Sequence, residues 1–424
     1  MKLKHYLRLA YESFINKFLK GYFSTFNIIK GLGIAIILSF FIYSAYLGYS
    51  SKLLNTILGL LCIYLLLSCK QKILSWSGFF VGIFWFYWIA LSFKYYGFVY
   101  MEPLIMLLIA AVYFLFFWIL SYPKNPFIRA VLLLFASYVH PFEFSWFKPE
   151  LIFTQSYIGI QKWQFAIVLF AISSFVYLYK NREMKPLYFL ILAPTVFAFQ
   201  PQINIQKPPF SIYLYDQKLP QDIKWNPRYT NQIISKNFQA INRAINENKK
   251  MIILNESAFP LFLNRKKELL KRLKNLSKKI IIVTGALRAD KDSFYNSTYY
   301  FINGKIKIAD KVVLVPFGEK IPLPNFLVKI INRLFFDGAS DFKTAKEPTV
   351  IDINGIKFTN AICYEATEDI IYKKHTPFVI AVSNNAWFTP SIEPTLQNIL
   401  IRFYAKKYNT TIIHAANMGI SGIF

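Results

Sequence analysis

Long apolar runs separated by short basic connectors fill residues 1–200. They fall near 31–49, 53–69, 73–93, 103–121, 127–145, 163–179 and 186–200, each close to the ~20 residues that carry a helix across the hydrocarbon core. The pattern predicts a multi-span α-helical membrane domain of about seven helices over 1–200. The fifth run is the weakest, because His140, Pro141 and Glu143 interrupt it, and the seventh is short and contains Pro194. After Pro208 the texture changes to short β-rich runs alternating with polar helical stretches. Strands are expected at 210–215, 251–254, 280–286, 298–302, 349–353, 356–363, 378–383 and 411–414, and helices at 228–248, 261–276, 325–334 and 392–408. Strands of four to eight residues alternating with helices predict an α/β domain over 208–424. Residues 200–209, with three prolines, read as the linker.

Composition supports the membrane reading and adds an orientation. Hydrophobic residues make up 55% of the 424, charged residues 17%, and the net charge is +27. A surplus this basic can mean nucleic acid, but no RNA- or DNA-reading motif is present, and the charges lie between apolar runs. One side of the layout receives Lys2, Lys4, Arg8, Lys17, Lys20, Lys30, Lys70, Lys72, Lys124, Arg129, Lys180, Arg182 and Lys185. The other receives Lys52, Lys94, Lys148 and Lys162. The positive-inside rule then puts the N-terminus in the cytoplasm. An odd number of crossings puts the α/β domain outside it. The N-terminus has no A-x-A cleavage pattern and reads as retained. The three cysteines, Cys62, Cys69 and Cys363, have neither disulfide nor zinc spacing. His5, His140, His375 and His414 form no His-Glu-x-x-His pair, so no metal is expected. No other cofactor is expected either, as there is no phosphate loop, and no Gly-x-Ser-x-Gly elbow offers a serine nucleophile.

Three segments place a reactive side chain at or beside a predicted strand end, where active sites of open α/β sheets gather. In Met251-Ile-Ile-Leu-Asn-Glu256 an apolar strand runs into a carboxylate, a candidate general base. In Lys311-Val-Val-Leu-Val-Pro-Phe-Gly-Glu319 a buried ammonium could stabilise an oxyanion. Pro316 and Gly318 force an irregular loop that aims Glu319 inward. In Phe358-Thr-Asn-Ala-Ile-Cys363-Tyr364-Glu365 a thiol precedes a turn whose N–H groups would lower its pKa and hold an oxyanion. Taken singly, each has an ordinary structural explanation: a helix-start acid, an edge lysine, a core cysteine. Together they give the order Glu, Lys, Cys.

That order resembles the carbon–nitrogen hydrolase (nitrilase) superfamily, whose members share a Glu-Lys-Cys triad on an α-β-β-α sandwich. The longer motifs resemble the apolipoprotein N-acyltransferase family within it. They are Lys311–Glu319, Ile362-Cys363-Tyr364-Glu365, Ser383-Asn384-Asn385-Ala386-Trp387-Phe388 and Gln221-Asp-Ile-Lys-Trp225. A preceding multi-span domain is also that family's architecture. The resemblance implies transfer of an acyl chain from a membrane phospholipid to the α-amine of a lipoprotein's diacylglyceryl-cysteine. It also implies a site in a bacterial inner membrane with the catalytic domain on the periplasmic side. Carried over by motif, Cys363 is the nucleophile, Glu256 the base and Lys311 the oxyanion partner. Glu319 supports the triad, Tyr364 and Glu365 shape the site, and Trp225 lines the entrance. Ser383, Asn384 and Trp387 belong to a further site motif.

The sequence departs from the family where Leu254-Asn255 replaces Trp-Pro and where Asn385 replaces an Asp. It stops at Phe424, where longer members continue with further strands and a final membrane helix, so the expectation is a chain that lacks that anchor or is a naturally short form. Two alternatives stay open. A membrane-tethered amidase would use the same triad with water. A transporter would treat Cys363 as structural, with Glu143 the clearest charge among its spans.

Overall fold

The computed structural model describes residues 21–181, 190–200, 205–316, 318–320 and 342–424; the helix expected at 325–334 lies outside them. The chain divides into two compact units. One comprises Met1–Val139 and Lys148–Pro201, the other His140–Phe147 and Gln202–Phe424.

In the first unit the apolar runs become α1 (Thr25–Tyr46), α2 (Lys52–Ser68), α3 (Gln71–Phe86), α4 (Glu102–Leu120), α5 (Pro126–Ala136) and α6 (Lys162–Asn181). Among the described residues four stretches are long and apolar enough to cross a membrane: Thr25–Tyr46, Gln71–Tyr96, Val99–Leu120 and Lys162–Tyr179. α2, at 17 residues, falls just short of that length. Ser24 and Ser51 cap α1 and α2 by accepting the N–H of Asn27 and Leu54, the usual use of Ser at a helix start. Glycine lets the helices close up. A Cβ on Gly78 would lie 2.3 Å from the Tyr113 carbonyl oxygen, and one on Gly31 2.6 Å from the Trp76 Cβ. Small residues serve this purpose where lipid supplies no hydrophobic drive between helices.

Two of the expected crossings need correction. The fifth helix has only 11 residues, about 16 Å of rise against a hydrocarbon core of ~30 Å. It ends at Ala136, and residues 140–147 fold with the second unit. Glu143 is therefore an exposed acid on a 3-10 turn, and no part of a span. The seventh run is a nine-residue 3-10 helix, Leu190–Ala198, with Pro194 inside it; residues 186–189 lie outside the described set. Proline has no N–H to donate, which disfavours a long α-helix there.

The second unit is built on two sheets. The first runs β1 (Ile212–Leu214), β2 (Met251–Ile253), β4 (Ile281–Asp290), β5 (Ser293–Ile302), β6 (Lys305–Asp310), with β3 (Phe259–Phe262) beside β4. The second runs β11 (Gly422–Ile423), β10 (Thr411–Asn417), β9 (Phe378–Asn384), β8 (Ile356–Ile362), β7 (Val350–Ile353). The two-residue alternation of a strand divides the apolar residues between layers. Met251, Ile253, Val283 and Tyr300 face a core shared with Phe358, Ile362, Ile380, Val382 and Ile413 of the other sheet. Ile252, Ile282, Tyr299 and Phe301 face the opposite way, onto α7 (Thr230–Asn246) and α8 (Lys267–Leu276). α9 (Glu393–Tyr408) packs by β10 and the turn after β8. This is the expected α-β-β-α sandwich.

Each expected strand forms. β3, β6 and β11 were not foreseen, and the strand at 259–262 takes the first residues of the helix expected from Leu261. β6 had a readable signal. Asn303-Gly304 has φ of 48° and 79°, the two-residue hairpin turn that Asn-Gly favours. Asn354-Gly355 closes β7 onto β8 in the same way, with φ of 54° and 83°.

Candidate active site

β8 is a buried strand parallel to β9, and it ends at Ile362. Cys363 follows with φ 56°, a left-handed conformation that costs a non-glycine residue energy. It opens a 3-10 turn, Cys363–Thr367. The Glu365 carboxylate folds back under this turn and accepts the N–H groups of Ile362 at 2.7 Å, Val313 at 2.9 Å and Val312. One side chain therefore ties the cysteine turn to the segment after Lys311. Burial pushes its pKa up to about 7, although Lys311 and those N–H groups favour the anion.

Glu256 follows β2 in a turn that lies hard against β4. A Cβ on Gly285 would come within 2.6 Å of the Glu256 Cα, so this approach requires glycine. The Glu256 side chain is buried and accepts from Asn296 Nδ2 at 2.7 Å. Burial raises its pKa, the charge on Glu319 adds to that, and Lys311, Asn296 and Lys224 oppose it.

Lys311, immediately after β6, is fully buried. Its Nζ lies 2.6 Å from Glu319 Oε2 and 4.0 Å from Glu256 Oε1. The Val315 N–H, at 2.9 Å, and Asn296 Nδ2, at 3.2 Å, hold Glu319 in place. Burial disfavours the ammonium, but the two carboxylates outweigh it and hold its pKa above the ordinary lysine value. Among the described residues no acceptor is aligned for a hydrogen bond from this Nζ. An ammonium carries three donors, and the ion pair with Glu319 engages one of them.

The Cys363 pKa is pushed well above that of a free thiol. Burial is the largest cause and Glu256 the next; Lys311 and the Asn384 backbone N–H pull the other way without prevailing. The expectation that turn N–H groups would lower it is thus corrected. Desolvation of the sulfur and a neighbouring carboxylate win, leaving a neutral thiol beside a base.

The remaining sequence candidates fall into three groups. Tyr364 stacks on Phe144 and Trp146, with ring centroids 5.8 and 6.0 Å apart. Its hydroxyl accepts the Ser145 N–H and donates to Ser145 Oγ, both at 2.9 Å. Trp146 Nε1 donates to Thr367 Oγ1 at 2.8 Å. Residues 144–146 thus grip the turn behind the cysteine. Trp225, 39% exposed, and Trp387 direct their indole nitrogens at the Gln221 amide, 2.9 and 3.3 Å away, and Asn384 Nδ2 contacts the same amide at 2.8 Å. Ser383 Oγ is 2.8 Å from Nε2 of the buried His414.

Sequence reasoning missed two neighbours of Glu256. Lys224, fully buried, donates to the Glu256 carbonyl at 2.7 Å. Burial lowers its pKa to about 7 against the pull of Glu256 and Cys363. Asn296 bridges Glu256 and Glu319 from β5. A lysine beside an exposed tryptophan and an asparagine within a strand carry no sequence signal of burial. Among the described residues no group of three or more His, Cys, Asp or Glu is arranged to hold a metal. A thiol, a carboxylate and an ammonium within electrostatic reach of one another can form and discharge a thioester.

Comparison with known proteins yields two family matches. Residues 25–199 match the apolipoprotein N-acyltransferase integral membrane domain, and 217–423 match carbon-nitrogen hydrolase. The apolipoprotein N-acyltransferase of Wolinella succinogenes is 46% identical over 401 residues, covering 93% of this chain and 96% of that protein. The proteins of the same name from Helicobacter hepaticus and Campylobacter jejuni are each 38% identical. They cover 88% and 98% of this chain and 94% and 93% of their own lengths.

Proposed function

The chain belongs to the apolipoprotein N-acyltransferase family, and from that premise we propose how it moves an acyl group. It is an acyltransferase of the membrane; the amidase alternative is not favoured, because the match extends through the membrane half. The donor is a membrane phospholipid, and the acceptor is the amine of a lipoprotein's diacylglyceryl-cysteine. We assign the membrane domain to 1–200 apart from 140–147, which fold with the other unit, and the catalytic domain to 208–424.

Glu256 takes the thiol proton as the Cys363 sulfur attacks the ester carbonyl. Lys311, with backbone donors, stabilises the tetrahedral oxyanion. The C–O bond breaks, lysophospholipid leaves carrying the proton, and an acyl-thioester remains on Cys363. The acceptor amine then attacks the thioester and loses its proton to Glu256. The C–S bond breaks, and the thiol is restored. Two half-reactions through one covalent intermediate give ping-pong kinetics. Glu319 holds Lys311, Tyr364 and Glu365 brace the cysteine turn, and Trp225 lines the entrance. Asn384 supplies a backbone N–H to the sulfur, and Ser383 and Trp387 complete its surroundings. The observation that carries this reading is the buried Lys311 ammonium. It sits between two carboxylates, ion-paired with Glu319, and within the field of Cys363.

Labelled phospholipid should leave a hydroxylamine-labile acyl adduct on Cys363, detectable by mass spectrometry. Cys363→Ala should reduce transfer by roughly 10⁴-fold or more, as for the loss of other covalent nucleophiles. Near-normal transfer by that variant would end the scheme. We also place the protein in a bacterial inner membrane with the catalytic domain on the periplasmic side, the placement that the resemblance to the family implies. A topology reporter fused after residue 205 that was active only in the cytoplasm would refute that orientation.

A further inference from the structure

A second buried acid lies behind the cysteine, and the transfer scheme does not use it. Glu393, 2% exposed, opens α9. Both of its carboxylate oxygens face one donor, Asn385 Nδ2, at 3.0 and 2.8 Å. The same nitrogen is 3.0 Å from Gln397 Oε1. Gln397, one turn further along α9, directs Nε2 at Cys363 Sγ across 3.9 Å. Asn385 and Gln397 are each 1% exposed. The line therefore runs acid, amide, amide, sulfur, with no water face on its three side-chain links.

Hydrogen counting shows what such a line does. An amide nitrogen carries two hydrogens, and three oxygens compete for those of Asn385. An ionised carboxylate is the stronger acceptor and takes both. A neutral carboxyl leaves one for Gln397 Oε1, which keeps Nε2 of that amide turned towards the sulfur. Without this anchor the Gln397 amide is free to turn over and present its oxygen to a developing thiolate, which repels it.

We propose that Gln397 donates to the Cys363 sulfur as the thioester forms, and that neutral Glu393, acting through Asn385, is the positioning residue that sets the direction of that amide. This rests on Cys363 being the nucleophile. Glu393 stands at a helix N-terminus, where the dipole favours an anion. Burial outweighs that and, with the like charge of Glu256, raises its pKa to about 8; the hydrogen bond from Asn385 opposes the rise. The titratable groups acting on this line are Glu256 from the turn after β2 and Cys363 from the end of β8; Lys311 and Lys224 act in turn on those two. Because the carboxyl functions while protonated, its contribution is present below its pKa and is lost as pH rises through it.

The test is single-turnover acylation of the full-length protein in detergent micelles by labelled phospholipid, at pH 7 and pH 9. Glu393→Gln keeps the shape and cannot ionise. Its pH 9 to pH 7 rate ratio should exceed the wild-type ratio by about tenfold, the loss expected across one pH unit beyond a titration near 8. Equal ratios would overturn the proposal. Gln397→Leu should slow acylation by about tenfold or more at both pH values, the worth of a hydrogen bond to a charged group. An unchanged acylation rate would also overturn it. If Gln397→Leu does not fold, as judged by its thermal midpoint, the Glu393→Gln ratio still decides. Cys363→Ser run alongside separates the two readings. If that variant still transfers acyl chains normally, the nucleophile assignment fails. If it is dead while the Glu393→Gln ratio matches wild type, only the present inference fails.

Discussion

Both units bury charge, and they use it in opposite ways. In the first, Arg129 is 5% exposed and spends its guanidinium on the backbone: the carbonyls of Cys69 at 2.6 Å, Ser121 at 2.8 Å and Leu67 at 3.4 Å. These are the orphan acceptors at the ends of α2 and α4. Glu150, also buried, pairs with Lys162 at 2.6 Å. In the second unit Glu256, Glu319, Lys311 and Lys224 crowd together beside a thiol, and Lys311 has no aligned acceptor. A buried ion satisfied by helix ends holds a fold together. Buried ions crowded against one another beside a thiol keep pKa values displaced and a charge in place for a reacting group.

The contrast can be broken by removing one cation from each unit. Lys311→Met should lower acyl transfer by roughly 10²–10³-fold, the worth of an oxyanion donor. A loss below about tenfold, measured with labelled phospholipid, would remove Lys311 from the oxyanion role. Arg129→Met should instead cost roughly 2–4 kcal/mol of stability, because several charge-assisted hydrogen bonds go at once. Its thermal midpoint in detergent should fall while turnover per folded molecule stays at the wild-type value. Reduced turnover at an unchanged midpoint would erase the division between the units. The smallest effect sharpens the picture. Tyr364→Phe keeps the stacking on Phe144 and Trp146 and loses the hydroxyl pair with Ser145, worth about 1 kcal/mol. Transfer should drop only a few-fold, and Tyr364→Ala, which also loses the stack, should drop further; equal transfer by the two variants would show that the stack does not brace the turn.

Legibility followed the length scale of the signal. α1, α3 and α4 were readable because a run of apolar side chains is a local property. The fifth run was not, because its length depends on where 140–147 goes. Those eight residues leave the membrane unit to pack on Tyr364 and Thr367, a contact more than two hundred residues away in the chain. Glu256, Lys311, Cys363 and Glu319 were visible as motif residues at or beside strand ends. Lys224, Asn296, Glu393 and Gln397 were not, since a polar residue on a helix or strand looks the same whether it meets water or another buried group.

Two things were determined by the sequence alone: the alternation that splits apolar residues between two sheets and a helical layer, and the order of three reactive side chains at or beside strand ends. Both are properties of neighbours along the chain. Tertiary structure alone decided the protonation chemistry. The Cys363 thiol is raised and not lowered, Lys224 is shifted to about 7, and Glu393 to about 8. The physical reason is desolvation. Its size depends on how many atoms from distant segments close over a charge, and no local pattern records that.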